Sequence, residues 1–323
     1  TKKQPPNNYF LTTLHFWTWQ GNSGSQRIAY RQAGIANGAD PVVLVHGFGA
    51  SSGHWRFNLG PISEDRPVFA IDLLGFGASA KPRSQLENEA ASPGSLRYCF
   101  DLWAQLLSDF IQQVVAPAPG VQVQLVGNSI GAMVVLTAAC LMQKQGQPPA
   151  QLILIDCAQR SLDDKRAAQL PGLERASRPL IKQLVRQRWV INPLFRLLAR
   201  PAFIRSVLLR AYPSGANVDQ ELVALLHGPS LAEGATESFR GFVNLFNDHL
   251  APELLAQIEP PLPVRLLWGA ADPWEDPVEA GRWAAQFACV KELKLLPGLG
   301  HCPHDEAPEI VNPILRQWLA QRA

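Results

Sequence analysis

A mostly parallel α/β sheet flanked by helices, with a helical cap inserted into it, is the fold class this sequence predicts. Three observations predict it. Short continuous apolar runs (Pro41–Val45, Val68–Ile71, Leu152–Ile155, Val264–Trp268) read as strands buried on both faces, as parallel strands are. Segments of helical length and periodicity lie between them. One long stretch, from about Ala158 to His249, breaks the alternation with helical segments alone.

The bounds agree. At 323 residues and 35.5 kDa the chain can bury a large core, and 47% hydrophobic with 17% charged residues makes it globular and not disordered. A net charge of +2 gives no reason to expect nucleic acid as a partner. The five cysteines (Cys99, Cys140, Cys157, Cys289, Cys302) are scattered and odd in number, which predicts reduced thiols and a cytoplasmic setting. No apolar run reaches the roughly 18 residues of a spanning helix. The N-terminus lacks a signal-peptide core, and the start at Thr1 is compatible with prior removal of a targeting segment.

In chain order, Thr1–Asn8 is polar and reads as a frayed tail. Leu14–Gln20 and Arg27–Gln32 flank a turn and predict a hairpin. Pro41–Val45 runs into His46-Gly47-Phe48-Gly49, and Val68–Ile71 into Asp72-Leu73-Leu74-Gly75-Phe76-Gly77, where Asp72 reads as a turn organiser. Tyr98–Val115 has helical periodicity. Val121 to Met142 is an alternating strand, the tight corner Gly127-Asn128-Ser129-Ile130-Gly131, and then a long apolar helix. The strands Leu152–Ile155, Val264–Trp268 and Leu293–Leu296 follow, with a helix over Pro277–Phe287 and a last one from about Glu309 to Gln321. The core is thus expected over 1–157 and 249–323, and the cap over 158–248.

The cap is punctuated by Pro171, Pro179, Pro193, Pro201 and Pro213. Between Arg175 and Val218 it holds nine Lys or Arg and no Asp or Glu, interleaved with Leu180, Ile181, Leu184, Trp189 and Phe195. Such a surface suits peripheral contact with an anionic membrane. The alternative is a cap that packs its apolar face on the core and leaves its arginines in water.

The chemistry is concentrated at the corner. A serine at the tip of a strand-to-helix turn sits on a strained backbone with its hydroxyl exposed, and flanking glycines let strand and helix pass closely. A serine nucleophile needs a base, and the base an orienting carboxylate. In a doubly wound sheet these belong in loops after the strands. Asp272 follows Val264–Trp268 and His301 follows Leu293–Leu296, so Ser129, Asp272 and His301 are assigned as nucleophile, orienting acid and base. His304 is the alternative base, expected to bond locally instead. Asp276, Glu275 and Asp156 are the alternative acids. The backbone amides of Phe48 and Ile130 are the expected oxyanion donors, and Phe48, Asn128 and Trp274 the expected substrate contacts. The histidines lack ligand spacing, so no metal is expected, and no cofactor.

His46-Gly47-Phe48-Gly49, Gly127-x-Ser129-x-Gly131, Gly269-x-x-Asp272 and Gly300-His301 together resemble the α/β-hydrolases across nearly the whole chain. Asp72-Leu-Leu-Gly-Phe-Gly-Ala-Ser, Gly-Asn-Ser129-Ile-Gly, Trp268-Gly-x-x-Asp272-Pro-Trp-Glu and Gly-His301-Cys-Pro-His-Asp-Glu-x-Pro-Glu resemble the chlorophyll dephytylase and pheophytinase group of chloroplasts and cyanobacteria. The last string is the most distinctive. This resemblance implies hydrolysis of the phytyl ester of chlorophyll or pheophytin, at or near a thylakoid membrane. Without a plant-type transit peptide, the cyanobacterial form of the group is the one expected. A serine nucleophile by itself also reaches other apolar esters, lipids or a carbon–carbon bond; a non-catalytic binding protein on the same scaffold is the remote alternative.

Overall fold

The computed structural model describes residues 12–321 except 22 and 36, so the tail expected at Thr1–Asn8 lies outside the described residues. Eight strands form one sheet: β1 (Leu14–Gly21), β2 (Gly24–Ala33), β3 (Val42–Val45), β4 (Val68–Ile71), β5 (Gln124–Asn128), β6 (Gln151–Ile155), β7 (Val264–Gly269) and β8 (Val290–Leu296). Their spatial order is β1-β2-β4-β3-β5-β6-β7-β8. The β1–β2 hairpin and the β2–β4 pair are antiparallel, and every pair from β4 to β8 is parallel.

The apolar runs divide their side chains between two cores. Val43 and Val45 of β3 pack with Leu106 and Leu107 of α2 (Phe100–Phe110) and Met133 and Leu136 of α3 (Ile130–Lys144). Val42 and Leu44 face the other way, onto Trp55, onto Ile62 of the short α1 (Leu59–Ile62) and onto Trp318. A strand with a core on each face can spare no polar position, which is why β3 reads as an unbroken hydrophobic run.

Between β6 and β7 come α4 (Gly172–Val185), α5 (Arg188–Leu198), α6 (Pro201–Ala211), α7 (Gln220–Ser230), α8 (Ala235–Val243) and the short α9 (Ala251–Leu255). The core resumes with α10 (Pro277–Gln286), α11 (Pro303–Glu306) and α12 (Pro308–Ala320).

Four expectations need correction. The strand before the corner begins at Gln124, not Val121, because its neighbours set its length: Val42 pairs Gln124, which pairs Gln151. The helix expected over Tyr98–Val115 is α-helical only to Phe110, and Ile111–Val115 continues as a wider π turn. β8 starts at Val290, three residues early, since it is an edge strand whose exposed charged residues Lys291 and Glu292 hide its first half from an apolar-run reading. Finally, Pro179 and Pro193 lie inside α4 and α5 instead of bounding helices. Both are exposed, so the carbonyls they leave without an amide donor can be hydrated.

From β3 the chain crosses to β4 on one side of it and later to β5 on the other. The carboxyl ends of β3 and β5 therefore flank the crevice at which open α/β sheets bind ligands.

Candidate active site

Ser129 occupies the turn between β5 and α3 with φ 56° and ψ −121°, a conformation that L-residues rarely adopt. Main-chain bonds hold it there. Its amide donates to Ile155 O at 2.9 Å, and its carbonyl accepts from Ala132 at 3.1 Å and Ala158 at 3.2 Å. The flanking glycines do what close passage requires: a Cβ on Gly127 would lie 2.4 Å from the Gly131 carbonyl oxygen, and one on Gly131 2.3 Å from that of Val45.

Asp272 and His301 emerge after β7 and β8 and meet: His301 Nδ1 lies 2.8 Å from Asp272 Oδ2. The other carboxylate oxygen accepts the amides of Trp274 at 2.9 Å and Glu275 at 3.2 Å. Burial works against the ionised form, but the bonds from His301 and the Trp274 amide hold the Asp272 carboxyl below the usual carboxylate range. With Asp272 ionised, Nδ1 carries the proton and Nε2 is left as the basic nitrogen. The main chain of His301 is tied on both sides, its amide to Ala211 O at 2.9 Å and its carbonyl to Asn128 Nδ2 at 3.0 Å. Ser129 and His301 line one cavity. Among the described residues they share no direct hydrogen bond, and such bonds commonly tighten only when substrate is present.

The alternatives fall elsewhere. Glu275 accepts the amide of Gln159, at 2.7 Å, and Asp276 caps α10 through the amide of Val278. His304 does start a helix, α11, but the local bond expected of it is missing. Neither ring nitrogen has a partner among the described residues, and the ring packs against those of Trp55 and His54. Asp156 is fully buried after β6, with one oxygen on the Gly269 amide at 2.9 Å and the Asp272 carboxylate beside it. Burial and the neighbouring Asp272 carboxylate push its pKa well above the ordinary value, so it stands as a neutral acid beside an ionised one. Asp72 does organise a turn, accepting the amides of Ser52 at 2.6 Å and Ala78 at 2.7 Å.

The loop after β3 shows how a peptide group is aimed. His46 Nε2 accepts the Leu73 amide at 3.0 Å, so its proton is on Nδ1 and is donated to Gly47 O at 2.7 Å. In a trans peptide C=O and N–H point in opposite directions. Pinning the Gly47 carbonyl to His46 thus turns the Phe48 N–H away from the imidazole. That amide and the Ile130 amide at the start of α3 have no hydrogen-bond acceptor among the described residues. Burial lowers the His46 pKa, which keeps the ring neutral and this arrangement fixed.

Sequence reasoning missed this role of His46, although its place directly after a buried strand was visible. It also missed a buried polar network that joins the chain between α6 and α7 to α11 and to the loop after β3. Arg56 bonds Asp305 at 2.8 Å and Asp219 at 3.0 Å, Tyr212 donates to Asp305 at 3.0 Å, and His54 Nε2 meets the Tyr212 hydroxyl at 2.8 Å. Burial and nearby Arg56 lower the pKa of His54 to about 3. No spacing in the sequence announces partners this far apart.

The cavity has a volume of about 540 Å³, within the range of small-molecule sites. Ser129, His301, Glu275 and Phe48 line it together with Leu162, Leu208, Leu226, Phe242 and Phe246. Phe48 stacks on Phe242 at 4.0 Å, and Trp274 meets the His301 ring edge-on at 4.9 Å. Asn128 reaches the cavity, but its two amide protons are engaged by Ile155 O and His301 O, so it acts as a clamp between the corner and the histidine loop.

Comparison with known proteins places this geometry. The profile described as the alpha/beta hydrolase family matches residues 42–314. The chain is 27% identical over 319 residues to the chloroplastic pheophytinase of Arabidopsis thaliana, an alignment covering 91% of this chain but only 64% of that protein. It therefore spans less than two thirds of that relative's length. With a 1-acylglycerol-3-phosphate O-acyltransferase of Sus scrofa it shares 25% identity, over 84% of this chain and 75% of the other. The structure of a probable hydrolytic enzyme from Pseudomonas aeruginosa PAO1 superimposes with a TM-score of 0.71 at 20% identity, covering 96% and 94% of the two chains, a likeness of fold.

Proposed function

The chain belongs to the α/β-hydrolase family, and from that premise we propose that it is a serine hydrolase of bulky apolar esters, cleaving the phytyl ester of chlorophyll or pheophytin. One observation carries the reading: a serine on a strained corner and a carboxylate-paired histidine open onto the same largely apolar cavity. The 27% identity to a protein named pheophytinase supports the choice of ester.

In this mechanism His301 Nε2 takes the proton of Ser129 Oγ as the oxygen attacks the ester carbonyl. The developing oxyanion accepts the amides of Phe48 and Ile130, which carry no bond that would have to break first. Asp272 keeps the His301 proton on Nδ1 and stabilises the imidazolium. That imidazolium then protonates the departing alcohol, phytol in the proposed reaction, leaving an acyl-enzyme. Water activated by the same histidine releases the acid. Leu162, Leu208, Phe242 and Phe246 supply an apolar environment for the hydrocarbon of the substrate.

The test compares the protein with its Ser129→Ala variant on chlorophyll a, pheophytin a and a short p-nitrophenyl ester, following the dephytylated acid by chromatography. Serine-dependent appearance of that acid is expected, with the variant slower by on the order of 10⁶-fold. Turnover of the small ester alone would retain the nucleophile and reject the pigment. The acyltransferase likeness supports a second reading, an acyl-lipid substrate, which lysophospholipid and monoacylglycerol in the same assay would reveal.

A further inference from the structure

In α4 the usual orientation of an amphipathic helix is reversed. Its polar stripe faces the protein: Arg178 is its one buried residue and pairs with Asp164 at 2.9 Å, and Lys182 pairs with the same carboxylate at 2.7 Å. Arg178 also bonds the Leu162 carbonyl, and both cations lie over the Phe246 ring. At the end of the helix, Asn244 Nδ2 holds the Val185 carbonyl at 2.9 Å and Arg240 Nε that of Arg186 at 2.8 Å. The apolar stripe, spaced seven and four residues apart, faces outward: Leu173 is 84% exposed, Leu180 60% and Leu184 38%. On the adjoining α5, Trp189 is 73% exposed. Helices normally dock by burying such a stripe; this one is held by charges and leaves the stripe uncovered.

We propose that the outward face of α4 and α5 docks the protein on the surface of an anionic phospholipid bilayer. The charge complement supports this partner. From Arg175 to Val218 there are nine basic residues and no acidic one. Among the described residues Arg175, Arg196, Arg200 and Arg210 are exposed and have no ion-pair partner. An apolar stripe with flanking cations lies in the headgroup region of an anionic membrane, leucines toward the acyl chains and arginines at the phosphates. The same charge disfavours pairing with a second copy, which would set basic face against basic face. No described helix is long and apolar enough to cross a membrane, so the contact is with the surface. The location has a consequence for substrate. Leu162 and Phe246, on which the inward cations of α4 rest, are walls of the cavity. An ester dissolved in the bilayer therefore meets the protein beside its site. The docking surface holds whichever ester is cleaved.

The test is co-sedimentation with vesicles of phosphatidylcholine alone and of phosphatidylcholine with phosphatidylglycerol, at low and high salt. The protein is expected to favour the anionic vesicles by at least about fivefold at low salt, the contribution of a single basic residue at such a surface. High salt should weaken the binding. Leu173→Ser/Leu180→Ser/Leu184→Ser should lower partitioning at least about tenfold while the circular dichroism and the rate on a soluble p-nitrophenyl ester stay the same. Arg196→Gln/Arg200→Gln should remove the preference for anionic lipid. Equal binding to both vesicle types, or unchanged binding by the leucine triple variant, overturns the proposal. So does a dimer in sedimentation equilibrium that the triple variant dissolves, since the face would then be an interface between copies. None of these readouts involves pigment, so the outcome is separable from the fate of the phytyl-ester assignment.

Discussion

The corner at Ser129 lines the cavity and the helix α4 rests on residues that line it, and the two are built in opposite ways. At the corner the backbone is the determinant. Main-chain bonds to Ile155, Ala132 and Ala158 fix a strained φ, and the glycines on either side leave no room for a methyl group. In α4 side chains are the determinant. Arg178 and Lys182 grip Asp164, the leucines face away, and a Cβ on Gly172 would meet nothing within 4 Å. Reacting atoms must be placed to within a fraction of an ångström, which only packed main chain achieves. A surface that receives a large ligand or partner needs only to be present.

This contrast puts the largest losses at the corner and its partners. Asp272→Asn keeps the shape of the carboxylate but lets His301 take the wrong tautomer, and kcat/KM on a p-nitrophenyl ester should fall about 10⁴-fold with no change in fold. A loss below about tenfold would remove Asp272 from the role of orienting acid. Next comes a matched pair of glycines. Gly131→Ala drives a methyl group into the Val45 carbonyl and should cost about 3 kcal/mol in chemical denaturation. Gly172→Ala, at the open start of α4, should stay within about 0.5 kcal/mol of the parent. Equal effects at the two positions would dissolve the distinction between corner and cap.

The same contrast explains what could be read in the sequence. The corner, the loop after β3 and the placement of Asp272 and His301 after β7 and β8 were legible, because buried strands leave unbroken apolar runs and close passages demand glycine at fixed offsets. The orientation of α4 was not. Periodicity shows that Leu173, Leu180 and Leu184 share a face opposite Arg178 and Lys182, but not which face meets the protein. That was decided by Asp164 and Phe246, one upstream and one far downstream. Pairing of His54 with Tyr212, or Arg56 with Asp305, was hidden for the same reason: long-range polar partners leave no local pattern.

A smaller effect is read by pH at Glu275, a carboxyl that lines the cavity. Burial pushes the pKa of Glu275 up to about 7 from an ordinary 4.5, in spite of His301 nearby. Its folded value is above its unfolded one, so the folded state binds the proton more tightly. That stabilisation, about 3 kcal/mol, is complete below pH 4.5 and is lost as pH rises through about 7. Glu275→Gln should therefore flatten the decline of Tm between pH 5 and 8. Asp305, pushed up to about 6 mainly by burial, titrates in an overlapping window, so the slope should shrink without vanishing. An unchanged slope would place the Glu275 carboxyl in water.

The smallest effect expected is the one that discriminates most sharply between neighbouring residues. Asp156 and Asp272 are adjacent carboxyls after successive strands of the sheet, and this fold could use either position for the acid. Asp156 is held neutral by burial and by the charge of Asp272, while Asp272 is held ionised by His301. An amide is the nearest uncharged copy of a neutral acid. In Asp156→Asn the side-chain carbonyl can keep the Gly269 amide and the NH₂ can face Asp272, so kcat/KM should change by less than about threefold. The identical substitution one strand away is expected to cost four orders of magnitude. Should Asp156→Asn instead be the damaging one, its carboxylate would have to be the charge that orients His301, and the 2.8 Å contact between His301 and Asp272 would be a resting arrangement that the substrate rearranges.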